Sequence, residues 1–405
     1  MFSAAVVASP LHNPSRLATY VSEFTANIRD IPFRGVLTEP SDLEGAAAVV
    51  LVATGGTEHT ILETVRRSKL RYVLLVYHDF ENSLPAVMEV TPALRKYIHV
   101  EIAHLSSMRS LVEHIATASR AALTLSSSKL LVFGSPSPWL VYSSGSDDAL
   151  RSKLGIEVEY VDMRDLYTEY DRVSDDFTGR QERFKQLVNT SLIEVEHISK
   201  SFRLYLAFNK IARERGARAI SVRCFDLIKD MKLAGCLALS LLLDDFLVAG
   251  CEADIPATAT MMILKELSGR PPWIANVVSV SRGRVELAHC TIATSITHSF
   301  TLTTHFESGL PVAISGIVRK NSEATIAKYD PKRNLIRAAR GVVTESEPKY
   351  GARCRTQLTL EVSEKFSDRL LGDPLGAHVV VSFTNVLKPL EILAKILDVD
   401  VEVFE

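Results

Sequence analysis

The chain has 405 residues, of which 47% are hydrophobic and 23% charged, and this balance is typical of a globular protein. Its length exceeds what one hydrophobic core supports, so we expect two or three domains. A net charge of −2, with no block of Lys and Arg, excludes the basic surface of a nucleic-acid-binding protein.

The sequence also argues against a membrane or a disulfide-rich protein. The longest apolar runs, AAAVVLVA and CLALSLLL, are far shorter than the roughly 20 residues that a membrane helix needs. The stretch MFSAAVVASPLHN lacks the basic region of a signal peptide. Cys residues occur without any CxxC pair, which favours free thiols. We therefore expect a soluble, cytoplasmic protein.

Two successive regions, 1–126 and 127–270, alternate apolar strands with helices. The first predicts strands at FSAAVVAS, AAAVVLVAT, RYVLLVY and IHVEIAH, and helices near 15–28, after ATGGTEH and near 85–96. The second predicts strands at SKLLVFG, IEVEYVDM, ARAISVRCFDLI and FLVAGCE, and helices near 146–154, within 165–215 and at GCLALSLLLDDF. This alternation is typical of parallel sheets covered by helices, so we expect two α/β domains.

Region 271–405 has a different pattern. The segments RVELAHCTIATSI, SFTLTTHF, VAISGIVRK, ATIAKYD, LIRAARGVVT, CRTQLTLEV and HVVVSF are short and β-rich. They predict a mostly antiparallel barrel or sandwich, followed by a helix at VLKPLEILAKILDV.

Two carboxylates lie near the end of the second α/β region, between a predicted strand and a predicted helix. Asp254 precedes Pro256 and a helical pattern that ends at Gly269, so it suits a helix N-cap. Glu252 falls at the carboxyl end of a predicted strand, where open α/β sheets bind ligands. A buried Glu with structural partners is the alternative.

Histidines in the β-rich region supply possible partners for Glu252. His289 lies in ELAHCT, His378 in LGAHVVV and His305 in TTHFESG. A single His in a strand is more often structural, but one carboxylate with one or two His residues suits Mn²⁺ or a similar ion. The loop GSPSPW could place Trp139 against a pocket, and ATGGTEH offers N–H groups for an anion.

The segments AGCEADIPATATMMILKELSGRPP, LAHCTIATS and GAHVVV together resemble the L-fucose isomerase and L-arabinose isomerase family, especially its shorter fucose-isomerase-like members. The resemblance extends to ATGGTEH, PSPWL and CFDLI. It implies two Rossmann-like α/β domains followed by a β-rich, barrel-like domain. It also implies a divalent metal, most often Mn²⁺, and a homo-oligomer (trimer or hexamer) in which a neighbouring subunit helps close the site.

Carried over to this chain, the resemblance implies a metal shell of Glu252, His378 and either Asn276 or His289. Asn276 stands where fucose isomerases have a second carboxylate, and an amide cannot accept a proton. Asp254 and His289 are candidates to replace that base, and a hydride shift would need none. The implied catalytic residues are Glu252, Asp254 and Asn276.

The implied activity is aldose–ketose isomerisation of a pentose, a 6-deoxyhexose or a related sugar through an enediol. Two alternatives are a non-catalytic sugar-binding relative and an epimerase-type activity. The residues expected to line the sugar pocket are His12, Glu58, His59, Trp139 and His305.

Overall fold

A computed structural model describes residues 2–29, 31–173, 184 and 193–405. They form two compact units. The first unit comprises residues up to 123 together with 388–399, and the second comprises 124–387 together with 400–405. The sequence-based division at 126 and 270 into three domains stays a prediction.

The first unit contains a parallel sheet with the strand order β2-β1-β3-β4-β5. Its strands are β1 (Phe2–Val7), β2 (Phe33–Leu37), β3 (Ala47–Val52), β4 (Tyr72–Tyr77) and β5 (His99–His104). Its helices are α1 (Pro14–Asn27), α2 (Glu58–Arg67), α3 (Ser83–Leu94) and α4 (Arg109–Ser126), joined by a helix late in the chain (Leu387–Leu397). The strand order reverses at β1, and such switch points form ligand crevices at the carboxyl ends of the strands.

The sequence correctly predicts four of these strands but misses β2. In β1, β3 and β4 the residues are almost all buried, which explains their continuous apolar patterns. Strand β2, FRGVL, lies at the sheet edge and is largely exposed, with a glycine at its centre. It therefore lacks the apolar run by which the other strands are found.

The second unit begins with a four-stranded parallel sheet in the order β7-β6-β8-β9. Its strands are β6 (Lys129–Phe133), β7 (Glu157–Val161), β8 (Ala219–Val222) and β9 (Val248–Cys251). Its helices are α5 (Asp147–Leu154), α6 (Met163–Arg172), α7 (Val195–Glu214), α8 (Cys224–Met231), α9 (Cys236–Asp244) and α10 (Ile255–Ser268). Part of the predicted helical region 165–215 lies outside the described residues.

The prediction of one strand over ARAISVRCFDLI is wrong in its second half. Strand β8 ends at Val222, and helix α8 starts at Cys224. The apolar residues of CFDLI follow helical spacing, and only Cys224 and Leu227 of this helix are buried. A short apolar run alone does not distinguish the two structures.

Most of the rest of the second unit is a closed antiparallel β-barrel. Its strands are β10 (Trp273–Ser281), β11 (Arg284–His289), β14 (Glu323–Asp330), β15 (Leu335–Glu345), β16 (Thr356–Val362) and β17 (His378–Ser382). They follow the order β14-β17-β10-β11-β16-β15, and the β14–β15 pairing closes the ring. A barrel, one of the two predicted architectures, is confirmed; strand β10 is not among the predicted strands.

Further elements flank the barrel. Strand β18 (Asp400–Phe404) adds to β15 in parallel, and β12 (Ser299–Thr304) pairs with β13 (Pro311–Ile317) as a separate hairpin. Helix α11 (Glu364–Gly372) precedes β17, and the late helix of the first unit is α12 (Leu387–Leu397). All five cysteines are free thiols. Among the described helices, none is long and apolar enough to cross a bilayer.

Candidate metal and active site

Strand β9 ends in a strained turn that orients Glu252. Glu252 and Ala253 have φ angles of 60° and 54°, in the left-handed region that non-glycine residues rarely adopt. The Ala253 N–H donates to the Val222 carbonyl, and the Ser137 N–H donates to the Glu252 carbonyl, both at 3.0 Å. Neighbouring strand ends thus hold the turn. Such strain is concentrated at functional sites.

Asp254 caps helix α10, as the sequence predicts. Its Oδ1 accepts a hydrogen bond from the Ala257 N–H at 2.8 Å. The carboxylate is fully buried; Oδ2 lies 2.9 Å from His378 Nδ1, and Lys328 Nζ lies 3.6 Å from Oδ1. Burial opposes ionisation, but the charge of Lys328 and the His378 hydrogen bond lower the pKa of Asp254 to about 2.

His378 lies buried between two carboxylates at the start of β17. Its Nδ1 contacts Asp254, and its Nε2 lies 3.6 Å from Glu252 Oε1. Burial lowers the pKa of His378, but Asp254 and Glu252 outweigh it and raise the value to about 9. Within the described residues, Nε2 has no hydrogen-bond partner.

His289, at the end of β11, is the second buried imidazole. Its ring centroid lies 5.9 Å from that of His378. Burial, together with His378, lowers the pKa of His289 to about 3. The ring is therefore neutral at physiological pH, the form that binds metals. Its Nδ1 also lacks a hydrogen-bond partner in the part of the chain described here.

Glu252, His289 and His378 form a cluster that fits a divalent cation. Each offers a ligand atom, and these atoms all lie within 4.8 Å of one another. Ligands that surround one ion at about 2.1 Å are about 3–4 Å apart, so a small adjustment suffices. One carboxylate with two imidazoles suits Mn²⁺ and related ions. The observation that supports this fit is that two buried imidazole nitrogens, His289 Nδ1 and His378 Nε2, have no hydrogen-bond partner within the described ranges.

Asn276 lies in β10, between the two strands that carry the histidines. It pairs with His378 across the β10–β17 ladder and with Ala288 across the β10–β11 ladder. The register thus sets Asn276 beside His378, at the same end of the barrel as His289. Its role as a metal ligand or catalytic residue stays a prediction.

An aromatic wall adjoins Glu252. Trp139 Nε1 donates to Glu252 Oε2 at 2.5 Å, and its half-exposed indole makes an edge contact with Phe225, with 4.8 Å between ring centroids. Phe225 in turn contacts His305, with 5.9 Å between centroids. Burial opposes ionisation of Glu252, but His378 and Trp139 lower its pKa below the ordinary value.

Sequence reasoning misses three residues around the site: Lys328, Phe225 and Glu307. Lys328 interrupts the apolar strand pattern of ATIAKYD, and this interruption is the sequence signal that could have indicated a buried cation there. Glu307 follows His305 in an exposed loop. Partial burial and the charge of Glu252 raise the pKa of Glu307.

The remaining residues predicted for the sugar pocket belong to the first unit. His12 follows β1, and its Nε2 lies 3.3 Å from Glu81 Oε2. Glu58 and His59 begin helix α2, which follows the ATGG turn and the N-cap residue Thr57. All three follow strands β1 and β3, which flank the switch point of this sheet. Their contact with a sugar stays a prediction.

The comparisons with known proteins point to sugar isomerases at low identity. No protein-family model matches the chain. Proteins named sulfoquinovose isomerase from Priestia aryabhattai and Priestia megaterium are 26% identical over 176 residues, or 42% of this chain and 40% of each relative. The protein of that name from Alkalicoccus urumqiensis is 26% identical over 164 residues, or 37% of its length. The chain thus matches about two fifths of these relatives.

Proposed function

We propose that the protein is a metal-dependent aldose–ketose isomerase. The observation that carries the proposal is the cluster of Glu252, His289 and His378. Two of its imidazole nitrogens have no hydrogen-bond partner among the described residues, and they lie beside a carboxylate on a strained turn. The relatives named sulfoquinovose isomerase support the same class of reaction. We further propose that the fold is that of the fucose isomerases, since two parallel sheets followed by a barrel match the expected order.

Glu252 is the proposed proton carrier between the two sugar carbons. A divalent metal such as Mn²⁺ held by the cluster would supply Lewis-acid polarisation of the sugar carbonyl. Because its pKa is lowered, Glu252 is ionised at neutral pH and can remove the proton from C2 of an aldose. Glu252 then returns this proton to C1 of the enediol, and the product is the ketose. The Trp139 N–H on Oε2 holds the carboxylate in place.

Proton movement between the sugar oxygens needs a second group. The Asp254 side chain is fully buried, so it does not reach the sugar, and His289 is a buried, neutral ring that faces the cluster. Glu307 is the carboxyl group we propose instead of Asn276. Its raised pKa suits a group that donates to O1 and accepts from O2, and the charge of Glu252 contributes to that shift.

The proposed substrate is a hexose that carries an anionic group, as the sulfonate of sulfoquinovose does. Arg223 is the candidate partner for that group. It follows β8, whose Val222 pairs with Cys251 of β9, so it is adjacent to the Glu252 turn. The Arg223 side chain is 31% exposed, and its guanidinium contacts Ser135 Oγ at 3.1 Å and Asp226 Oδ1 at 3.3 Å. Guanidinium groups bind such oxyanions through paired hydrogen bonds.

Ketose formation tests the proposed reaction. Purified protein is stripped with EDTA, reloaded with Mn²⁺ and incubated with sulfoquinovose and with uncharged pentoses and 6-deoxyhexoses. We expect ketose from at least one sugar, only in the reloaded sample. Metal-independent turnover would contradict the role of the cluster.

The proposed role of Arg223 predicts a selective effect of Arg223→Met. The KM for sulfoquinovose should rise at least about tenfold, because a charge-assisted hydrogen bond contributes about 1.5–3 kcal/mol. The KM for the uncharged 6-deoxy analogue should not change. Equal effects on both sugars would show that Arg223 does not contact the anionic group.

A further inference from the structure

Asp254 has more partners than a helix cap requires. Oδ1 accepts from the Ala257 N–H and faces Lys328 Nζ, whereas Oδ2 faces His378 Nδ1. By comparison, Asp162 caps helix α6 by accepting from the Arg164 N–H at 2.8 Å, and that bond lies at the exposed surface. Capping therefore explains the contact of Asp254 with Ala257 but not its contacts with Lys328 and His378.

Burial of the Lys328 ammonium group is unfavourable for folding. The Lys328 side chain is 5% exposed, and Nζ makes no hydrogen bond to any described residue. It lies in β14 directly opposite another buried cation, Arg337 of β15. Arg337 is compensated by Asp373 and Glu402, whereas the one carboxylate within 4 Å of Lys328 Nζ in the described part of the chain is that of Asp254, at 3.6 Å. A buried ammonium without hydrogen bonds is unfavourable, so stability alone does not explain it.

We propose that Lys328 and Asp254 are positioning residues for His378, and that they direct its Nε2 towards Glu252 and His289. This inference rests on the proposed function, because it concerns the residues that would hold the metal. Asp254 accepts from Nδ1–H and so keeps that proton in place, and a cation that displaces the Nε2 proton gains the Nε2 lone pair. Lys328 compensates the charge of Asp254, which keeps that carboxylate inside the protein at the end of the Glu252 turn.

The charges around His378 support this arrangement. Without Lys328, two carboxylates would flank one imidazole at a buried position, and Asp254 would lose the ammonium group that helps to offset its desolvation. The Glu252–Asp254 turn would then shift towards water and carry Glu252 with it. Because Lys328 compensates the charge of Asp254, the charge of Glu252 remains available to the cation.

Substitutions at Lys328 and Asp254, with one control, separate a positioning role from a contribution to stability. Lys328→Met removes the cation but keeps an apolar stem, and Lys328→Gln is the second variant should the first fail to fold. Asp254→Asn keeps the cap oxygen for Ala257 but presents an NH₂ group to His378. The imidazole must then accept at Nδ1 and carry its proton at Nε2, and this tautomer cannot bind a metal through Nε2. Arg337→Met is the matched control, a buried cation of the same barrel outside the cluster.

The measurements are titration calorimetry of Mn²⁺ into metal-stripped protein, the visible absorption of the Co²⁺-loaded protein, and thermal unfolding in EDTA. We expect Lys328→Met and Asp254→Asn to weaken Mn²⁺ binding by about 10- to 100-fold and to alter the Co²⁺ spectrum. Arg337→Met should lower the melting temperature and leave both metal readouts unchanged.

Two results would overturn different parts of the account. Mn²⁺ binding of wild-type strength and an unchanged Co²⁺ spectrum in the Lys328 variants would refute the positioning role alone. Failure of the wild-type protein to bind Mn²⁺ would instead refute the proposed function on which the inference rests.

Discussion

Glu252 and Asp254, two positions apart, have opposite surroundings. The Asp254 side chain is fully buried and all its partners lie inside the protein. The Glu252 side chain retains 14% exposure and contacts a half-exposed indole. Because a group that exchanges protons with a sugar must reach the sugar, Glu252 fits the reacting role and Asp254 the supporting one.

Glu252→Gln should lose most of its activity and keep its fold. The amide keeps the shape of the side chain but cannot accept a proton, so kcat at saturating Mn²⁺ should fall by about 10²- to 10⁴-fold while the fold is retained. Circular dichroism checks the fold and a ketose assay checks the rate. Glu286→Gln is the matched control, since Glu286 lies in β11 and pairs with Arg353 at 2.5 Å. A near-normal rate for Glu252→Gln would exclude Glu252 as the base.

In the metal-free protein, the contribution of His378 to the free energy of unfolding should depend on pH. The pKa of His378 is raised from 6.5 to about 9, so its contribution to stability is complete below pH 6.5 and is lost as the pH rises through 9. The stability difference between wild type and His378→Gln should therefore shrink over this range, by roughly 3 kcal/mol.

Urea unfolding in EDTA at several pH values measures that difference. The subtraction removes contributions common to both proteins, such as that of Cys290, whose pKa is lowered to about 7 by its hydrogen bond with Cys354. A difference that stays constant between pH 6 and 10 would contradict the described environment of His378.

At the residue scale, sequence reasoning succeeds where the signal is local. The strand, the following Glu252 and the capping Asp254 lie within one short segment, so their places are predictable. The contact of Lys328 with Asp254 joins β14 to the start of α10, and nothing local indicates it. The contact of Trp139 with Glu252 likewise joins distant segments.

At the element scale, close packing of β9 against α10 positions the site. A Cβ atom at Gly250 would lie 2.0 Å from Thr258 Oγ1 and 2.9 Å from Ser221 Oγ, so only glycine permits this approach. Thr258 is in the first turn of α10, and its hydroxyl donates to the Asp254 carbonyl at 2.7 Å. A shift of α10 would therefore move the Asp254 cap.

We predict that Gly250→Ala destabilises the protein by about 1–3 kcal/mol, because overpacking displaces α10 from the strand. Urea unfolding measures the loss. Gly351→Ala is the control, since a Cβ atom there meets no atom within 4 Å. Equal midpoints for the two variants would show that β9 and α10 are not packed as described.

Helix α10 is the element that the sequence predicts best, because a cap, an early proline and a terminal glycine mark its ends. Strands β2 and β10 are harder to predict. Strand β2 is exposed at an edge, and much of β10 is only partly buried, so neither shows a continuous apolar run.

At the scale of the whole molecule, the second unit contains the entire candidate metal cluster. The parallel sheet supplies Glu252, whereas the barrel supplies His289 and His378. The closure of the barrel depends on which strands pair, and a β-rich sequence pattern does not specify that pairing. This is why the sequence leaves a barrel and a sandwich as alternatives. The homo-oligomer and the cytoplasmic location stay predictions.

The most direct test of the account is NMR of the sugar products that the Mn²⁺-loaded protein forms in D₂O, with sulfoquinovose and uncharged aldoses as substrates. Proton transfer by Glu252 predicts a ketose that carries deuterium at C1, because the carboxyl proton exchanges with solvent during the reaction. No conversion of any sugar by protein with confirmed bound Mn²⁺ would contradict the proposed isomerase activity.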